Sequence, residues 1–153
     1  TKNPYDHKLI KDLGIEPLSD QFDKDYLYRI CSNSNLQIKK LLMDQRKIVG
    51  VGNIYASESL FLSNISPERL CNRLSVKDCS NLSNSIKAVL NEAINMGGTT
   101  LKDFYSADGS QGYFKIKLNV YGRDGQPCNS CNNIITKKII GQRSSFMCSE
   151  CQN

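Results

Sequence analysis

The chain has 153 residues, of which 39% are hydrophobic, and a formal net charge of +5. This content is too apolar for a disordered chain, and the length allows one domain or two small ones. No apolar run is long enough to cross a bilayer and no signal peptide is visible, so we expect a cytoplasmic protein.

Residues 1–19 are predicted to form an arm leading into a helical domain, residues 20–98. His7 is the only histidine, and we expect it to be exposed rather than to act as a ligand or a base. Helical spacing of apolar residues predicts helices over residues 22–32 and 36–43. We expect Ser19 or Asp20 to cap the first helix, and Lys39 and Lys40 to lie opposite the apolar side of the second.

A glycine turn follows the basic pair Arg46-Lys47, and its segment Gly50-Val51-Gly52-Asn53 opens a third helix. Asn53 is predicted to be the N-cap, and Ser57, Glu58 and Ser59 are expected to lie towards solvent. Glycines permit close approach of the backbone, and uncapped amides at a helix start favour an anion such as phosphate. The alternative is that the turn only joins two helices, because isolated glycine motifs are weak signals.

Apolar periodicity predicts a long amphipathic helix over residues 75–96, which Gly97-Gly98 ends. Residues 99–114 have no clear periodicity and are predicted to form a loop. A strand is expected over residues 113–121, before a turn at residues 122–125. The last segment, residues 115–153, is rich in basic residues: from residue 115 to residue 143 it carries six of them against Asp124 alone.

Two CxxC pairs lie in this last segment, Cys128 with Cys131 and Cys148 with Cys151. Their separation predicts a zinc ribbon, in which four thiolates hold one structural zinc ion and the intervening residues form a hairpin joined at Gly141-Gln142. A redox pair and two disulfides are the competing interpretations, and neither suits a reducing compartment.

Three further cysteines, Cys31, Cys71 and Cys79, lie in stretches predicted to be helical. We expect them to be small buried apolar residues, with a reactive thiol as the alternative.

Several segments resemble the formamidopyrimidine-DNA glycosylases and their endonuclease VIII relatives. The segments are LGIEPLSDQF, GVGNIYASE, SPERL, YGRDGQPC and GQRSSFMCSECQ. The resemblance implies a mainly α fold with a small β zinc ribbon, in which a helix-two-turn-helix bundle precedes a four-cysteine zinc-finger hairpin. It also implies that residues 99–114 fold over a damaged base, and that phosphates around a lesion contact five residues: Asn53, Gly52, Arg46, Lys47 and Arg143.

The resemblance implies the damaged-DNA-binding half of a base-excision-repair glycosylase and AP lyase, acting on oxidised purines such as 8-oxoguanine and formamidopyrimidine. The partner would be double-stranded DNA with an oxidised purine or an abasic site, close to the bacterial nucleoid, and a monomer is the default expectation. The family's nucleophile is an N-terminal proline amine, but here Thr1 comes first and Pro4 is internal. We therefore expect no catalytic residue in these 153 residues and no activity without the missing N-terminal domain. The alternative is a stand-alone zinc-ribbon DNA-binding module without repair chemistry.

Overall fold

A computed structural model describes residues 13–95 and 118–153 of the chain. The predictions for His7, for the first part of the arm and for the loop at residues 99–114 lie outside these described residues. The elements run in this order: α1 (Lys24–Ser32), α2 (Ile38–Leu42), α3 (Asn53–Leu62), a 3-10 helix (Cys71–Arg73), α4 (Val76–Asn95), β1 (Thr136–Ile140) and β2 (Arg143–Met147). The predicted class, mainly helical with a small two-stranded sheet and four clustered cysteines, is confirmed.

The boundaries of the first two helices differ from the prediction. The cap of α1 is Asp23, whose carboxylate accepts a hydrogen bond from the amide of Tyr26 at 2.9 Å, and not Ser19 or Asp20. The second helix is only five residues long. It is short because its flanking residue Gln37 is extended and pairs with Leu70.

The main hydrophobic core lies where α1 and α3 pack on α4. Its fully buried side chains include Leu27 from α1, Leu60 from α3 and Leu82 from α4. The three cysteines outside the CxxC pairs also belong to this core, and the predicted burial of Cys31, Cys71 and Cys79 is confirmed.

Helix α3 is covered on nearly all sides, which contradicts the prediction of a solvent face. Ser57, Glu58 and Ser59 are all buried. For Glu58 the reason is the C-terminal segment of the chain, which packs on this helix. Phe61 of the same helix joins a second, smaller core with ribbon residues that include Val120 and Phe146.

The C-terminal segment forms the predicted hairpin. Strands β1 and β2 pair antiparallel, from Thr136 opposite Met147 to Ile140 opposite Arg143. Gly141 and Gln142 join them with φ values of 58° and 67°, the positive values that tight two-residue hairpin turns require. Of the strand predicted over residues 113–121, the described part, residues 118–121, contains no strand.

The arm reaches the helical domain at Gly14 and Ile15. The amide of Gly14 donates to the carbonyl of Gln45 at 2.8 Å, and Ile15 forms a parallel bridge with Ile48. The backbones are so close that a Cβ at Gly14 would lie 2.3 Å from the carbonyl carbon of Lys47. Only glycine fits there, so the arm fixes the chain just before the glycine turn.

Among the described residues, no helix has the length and the apolar character needed to cross a membrane.

Gly14→Ala is expected to destabilise the protein by about 2–4 kcal/mol, because backbone atoms must move to admit the new Cβ. Thermal or urea unfolding measures this change. Gly52→Ala is the control, since a Cβ there would come no closer than 3.9 Å to a neighbouring atom. Equal losses in the two variants would contradict the role of the close approach.

Candidate nucleic-acid interface and metal site

The glycine turn leaves the start of α3 open. Gly50 has a φ of 83°, and its amide donates to the side-chain oxygen of Gln45 at 2.9 Å. Gly52 is the N-cap and has no side chain to bond the first amides of the helix. Uncapped amides at the positive end of the helix dipole favour an anion, and phosphate binding at this turn stays a prediction.

Asn53 is the first residue of α3 and not its cap, which corrects the prediction. Its side chain turns away from the helix amides, and Nδ2 donates to the backbone carbonyl of Ser144 at 2.9 Å. The residue is only 6% exposed, and within the described part of the chain its Oδ1 has no hydrogen-bond partner. Asn53 therefore joins the start of α3 to the start of β2, where the exposed Arg143 precedes Ser144.

The basic pair lies on the other side of the glycine turn. Arg46 is 78% exposed and pairs with Asp44, with Nε and Oδ1 3.1 Å apart. This hydrogen bond to the guanidinium lowers the pKa of the Asp44 carboxyl. The carbonyl of the exposed Lys47 accepts a 2.6 Å hydrogen bond from the hydroxyl of Tyr26. The two side chains thus remain available to solvent, while the backbone between them is fixed.

Lys39 is buried, contrary to the prediction that it lies with Lys40 opposite the apolar side. It is 1% exposed, and its Nζ donates to the hydroxyl of Ser145 at 2.5 Å. Burial, followed by the positive charge of Arg143, lowers its pKa to about 8. Lys39, Lys40 and Arg143 all line a cavity of about 230 Å³.

Glu58 also faces the C-terminal segment, and its carboxylate is held by three backbone amides. Oε1 accepts from Asn119 at 2.7 Å, and Oε2 accepts from Val120 and Tyr121, both at 2.9 Å. The side chain belongs to a residue that is only 4% exposed. The binding of these amides by Glu58 could not be predicted from the sequence pattern, because the amides lie 61 to 63 residues away along the chain.

The four cysteines of the CxxC pairs come together at one point. Their ligand atoms all lie within 4.8 Å of one another, with the sulfurs of Cys128 and Cys151 3.9 Å apart and those of Cys131 and Cys148 3.4 Å apart. Tetrahedral zinc with thiolate bonds of about 2.3 Å would place its sulfurs about 3.8 Å apart. The four sulfurs therefore fit a metal ion with every position filled by protein.

The backbone geometry of the first CxxC pair supports the same conclusion. The amide of Ser130 donates to the sulfur of Cys128 at 3.4 Å, so the backbone between the two cysteines folds around the first sulfur. The fold and the site thus define a class of protein, a helical domain with an open helix N-terminus and a four-cysteine metal hairpin packed on it.

Comparison with known proteins identifies the family. The model of the formamidopyrimidine-DNA glycosylase H2TH domain matches residues 13–105. The chain belongs to this family. It is 49% identical over 151 residues to a formamidopyrimidine-DNA glycosylase of Haemophilus ducreyi, and 49% identical over 152 residues to one of Escherichia coli strain K12. The alignments cover 99% of this chain but 55% and 56% of those proteins, so the chain spans about half the length of the curated relatives it matches.

Solved structures have the same fold. The MutM (Fpg) protein of Thermus thermophilus superposes with a TM-score of 0.85 at 37% identity, covering 99% of this chain and 58% of that one. A complex of the Lactococcus lactis Fpg with abasic-site-containing DNA superposes with a TM-score of 0.84 at 35% identity, covering 97% and 55%.

Lys39→Met tests the buried amine. The folded-state pKa of about 8 lies below the unfolded value of about 10.4, so the unfolded chain binds more protons between these values and stability rises with pH. Relative to the Met variant, the wild type is expected to gain about 2 kcal/mol between about pH 7.5 and 10. Urea unfolding across this range measures the gain. Lys40→Met, at the exposed neighbour, is the control, and a flat difference for Lys39→Met would contradict the burial of a charged amine.

Proposed function

We propose that this chain is the damaged-DNA-binding part of a base-excision-repair DNA glycosylase and AP lyase that acts on oxidised purines, 8-oxoguanine and formamidopyrimidine. The observation that carries the proposal is the convergence of the open N-terminus of α3 with the tip of a basic hairpin. The Asn53 side chain joins the two at Ser144, directly beside the exposed Arg143.

Two kinds of phosphate contact follow from this arrangement. The amides at the start of α3, with Gly52 as a cap that has no side chain, attract one phosphate through the helix dipole. The remaining Nδ2 hydrogen of Asn53 is a further donor. Arg143 reaches a phosphate from the hairpin side, where its planar guanidinium can make two parallel hydrogen bonds.

We propose that Arg46 and Lys47, which are exposed and precede the glycine turn in the chain, add further phosphate contacts. The Arg46 side chain is largely exposed although it pairs with Asp44, and an exposed ion pair contributes little stability and exchanges easily for a phosphate contact. In this proposal both residues add charge next to the lesion rather than reading a base, since phosphate contacts carry no sequence information directly.

The lesion class comes from the relatives. Structures similar to this chain include MutM in complex with carbocyclic 8-oxo-G containing DNA and the L. lactis enzyme with FAPY-dG containing DNA. We propose the same class of ligand for this chain, double-stranded DNA with an oxidised purine or an abasic site. The chain would bind this DNA as a monomer, in the cytoplasm beside the nucleoid. In this proposal the chain grips the phosphates around a flipped nucleotide, and the sugar is attacked by the proline amine of the N-terminal catalytic domain.

Zinc is the metal we propose for the four-cysteine site, at one ion per chain. It would be held by Cys128, Cys131, Cys148 and Cys151, and it would serve structure alone because no coordination position is left for water. The hairpin is two strands of five residues each, too small to be stable without such a centre.

Arg143→Ala is expected to weaken binding to a duplex with an abasic site about tenfold and to reduce the slope of log K against log salt by about 1. Fluorescence anisotropy at several salt concentrations measures both quantities. Lys24→Ala is the control. It also removes one exposed positive charge, but from α1, a helix that packs on α4. An unchanged slope for Arg143→Ala would remove this residue from the interface, and equal affinity for undamaged DNA would favour a module without repair function.

Cys128→Ser is expected to lower the metal content from one zinc per chain towards zero and to reduce DNA binding with it. Elemental analysis and gel shift on the same samples measure the two effects. Cys79→Ser, at a buried thiol of the helical core, should retain the zinc and is the control. Full zinc content in the Cys128→Ser variant would show that the ligand assignment is wrong.

A further inference from the structure

The buried side chain of Gln152 bridges two backbone segments that are far apart in the sequence. Its Oε1 accepts a hydrogen bond from the amide of Cys148 at 2.8 Å, and its Nε2 donates to the carbonyl of Ile65 at 2.9 Å. The residue is 3% exposed. Both ends of one planar amide are therefore engaged with backbone groups, and the bridge has a fixed length and orientation.

Backbone hydrogen bonds reinforce the bridge on either side. The amide of Asn153 donates to the carbonyl of Asn64 at 3.1 Å, and the amide of Ser66 donates to the carbonyl of Asn153 at 2.8 Å. The segment after α3 and the segment after the second CxxC pair thus run together like two short strands.

The bridge lies at the far end of two elements that are already joined at their near end. Helix α3 begins at Asn53, and β2 begins at Arg143; the bond from Asn53 to the carbonyl of Ser144 connects these two starts. Ten helical residues span about 15 Å, and five strand residues span about 16 Å. The two elements pack side by side with matched length, and Gln152 joins the segments that follow them.

We propose that Gln152 is a positioning residue for DNA binding, which holds β2 in register along α3 so that Arg143 and the open start of α3 meet the same DNA backbone. The inference rests on the proposed function. It assigns no contact with DNA to Gln152 itself, which lies at the opposite end of both elements.

The physical reason is the difference between side-chain bonds at one end of β2 and at both ends. The bonds from Asn53 and Lys39 reach Ser144 and Ser145, two adjacent residues near the start of β2. With these bonds alone the strand can tilt about its start, and a tilt turns the Arg143 side chain away from the phosphate. The Gln152 bridge holds β2 at a second point, about 15 Å from its start. A small displacement at that point rotates the start of the strand only negligibly. Binding sites need their groups held to within about 0.5 Å, so this constraint bears directly on affinity.

The test compares two variants of Gln152 in the full chain with matched control variants of Asn153. The zinc content of every variant is measured. Gln152→Met has a similar volume and removes both hydrogen bonds, and Asn153→Ala is its control because only the Asn153 backbone takes part in the ladder. Gln152→Glu keeps an acceptor for the Cys148 amide but loses the donor to Ile65. Asn153→Asp adds the same charge one residue away and controls for it.

The probe is a duplex with one abasic-site analogue. We expect both Gln152 variants to keep one zinc per chain and to bind about tenfold more weakly, while both controls bind as the wild type does. The decisive measurement is the cost of Arg143→Ala in each background. We expect this cost to fall from about tenfold in the wild type to about twofold or less in the Gln152→Met background, because the arginine is already misplaced there.

Three results would overturn the inference. Wild-type affinity in both Gln152 variants would show that the bridge does not position the hairpin. Weaker binding with an undiminished cost of Arg143→Ala would indicate a general loss of stability. Loss of zinc in both variants would place Gln152 in the metal site instead. Absence of DNA binding by the wild type is a separate outcome, which would contradict the proposed function itself.

Discussion

The carboxylate of Glu58 is the contact on which the relation between the helical domain and the ribbon depends. A buried charge is costly unless its acceptor sites are filled, and here three backbone amides fill them. Charge-assisted hydrogen bonds each contribute about 1.5–3 kcal/mol, so this anion fixes the start of the ribbon segment on the middle of α3. The hairpin and the two CxxC pairs then follow from a fixed position on α3.

The same helix organises the rest of the site because it presents polar groups along its buried side. Asn53 at its start binds β2, and Glu58 binds residues 119–121. Lys39, on α2, meets β2 from the other side at Ser145. Lys39 and Arg143 are two cations in proximity, and their mutual repulsion lowers stability in the free protein. Under the proposed function, the negative charge of bound DNA would relieve that repulsion.

Local features of the chain were predictable, and contacts between distant segments were not. The hairpin turn, the four-cysteine cluster, the core cysteines and the existence of each described α-helix follow from spacing and composition within short windows. The burial of Glu58 and Lys39, and the role of Asn53 as something other than a cap, depend on partners 61 to 106 residues away. A polar residue opposite an apolar face has the same sequence pattern whether water or a second domain covers it.

The polar composition of the buried side of α3 has a consequence for how the chain folds. The bonds that join the ribbon segment to α3 span 61 to 91 residues of sequence, and contacts over such separations form slowly. Until the ribbon docks, the uncovered side of α3 presents the carboxylate of Glu58 and the amide of Asn53, which water solvates well, beside the large apolar side chain of Phe61. A helical domain that forms before the ribbon docks therefore exposes a largely polar surface on this side of α3. The residues that later bind the ribbon thus also limit aggregation.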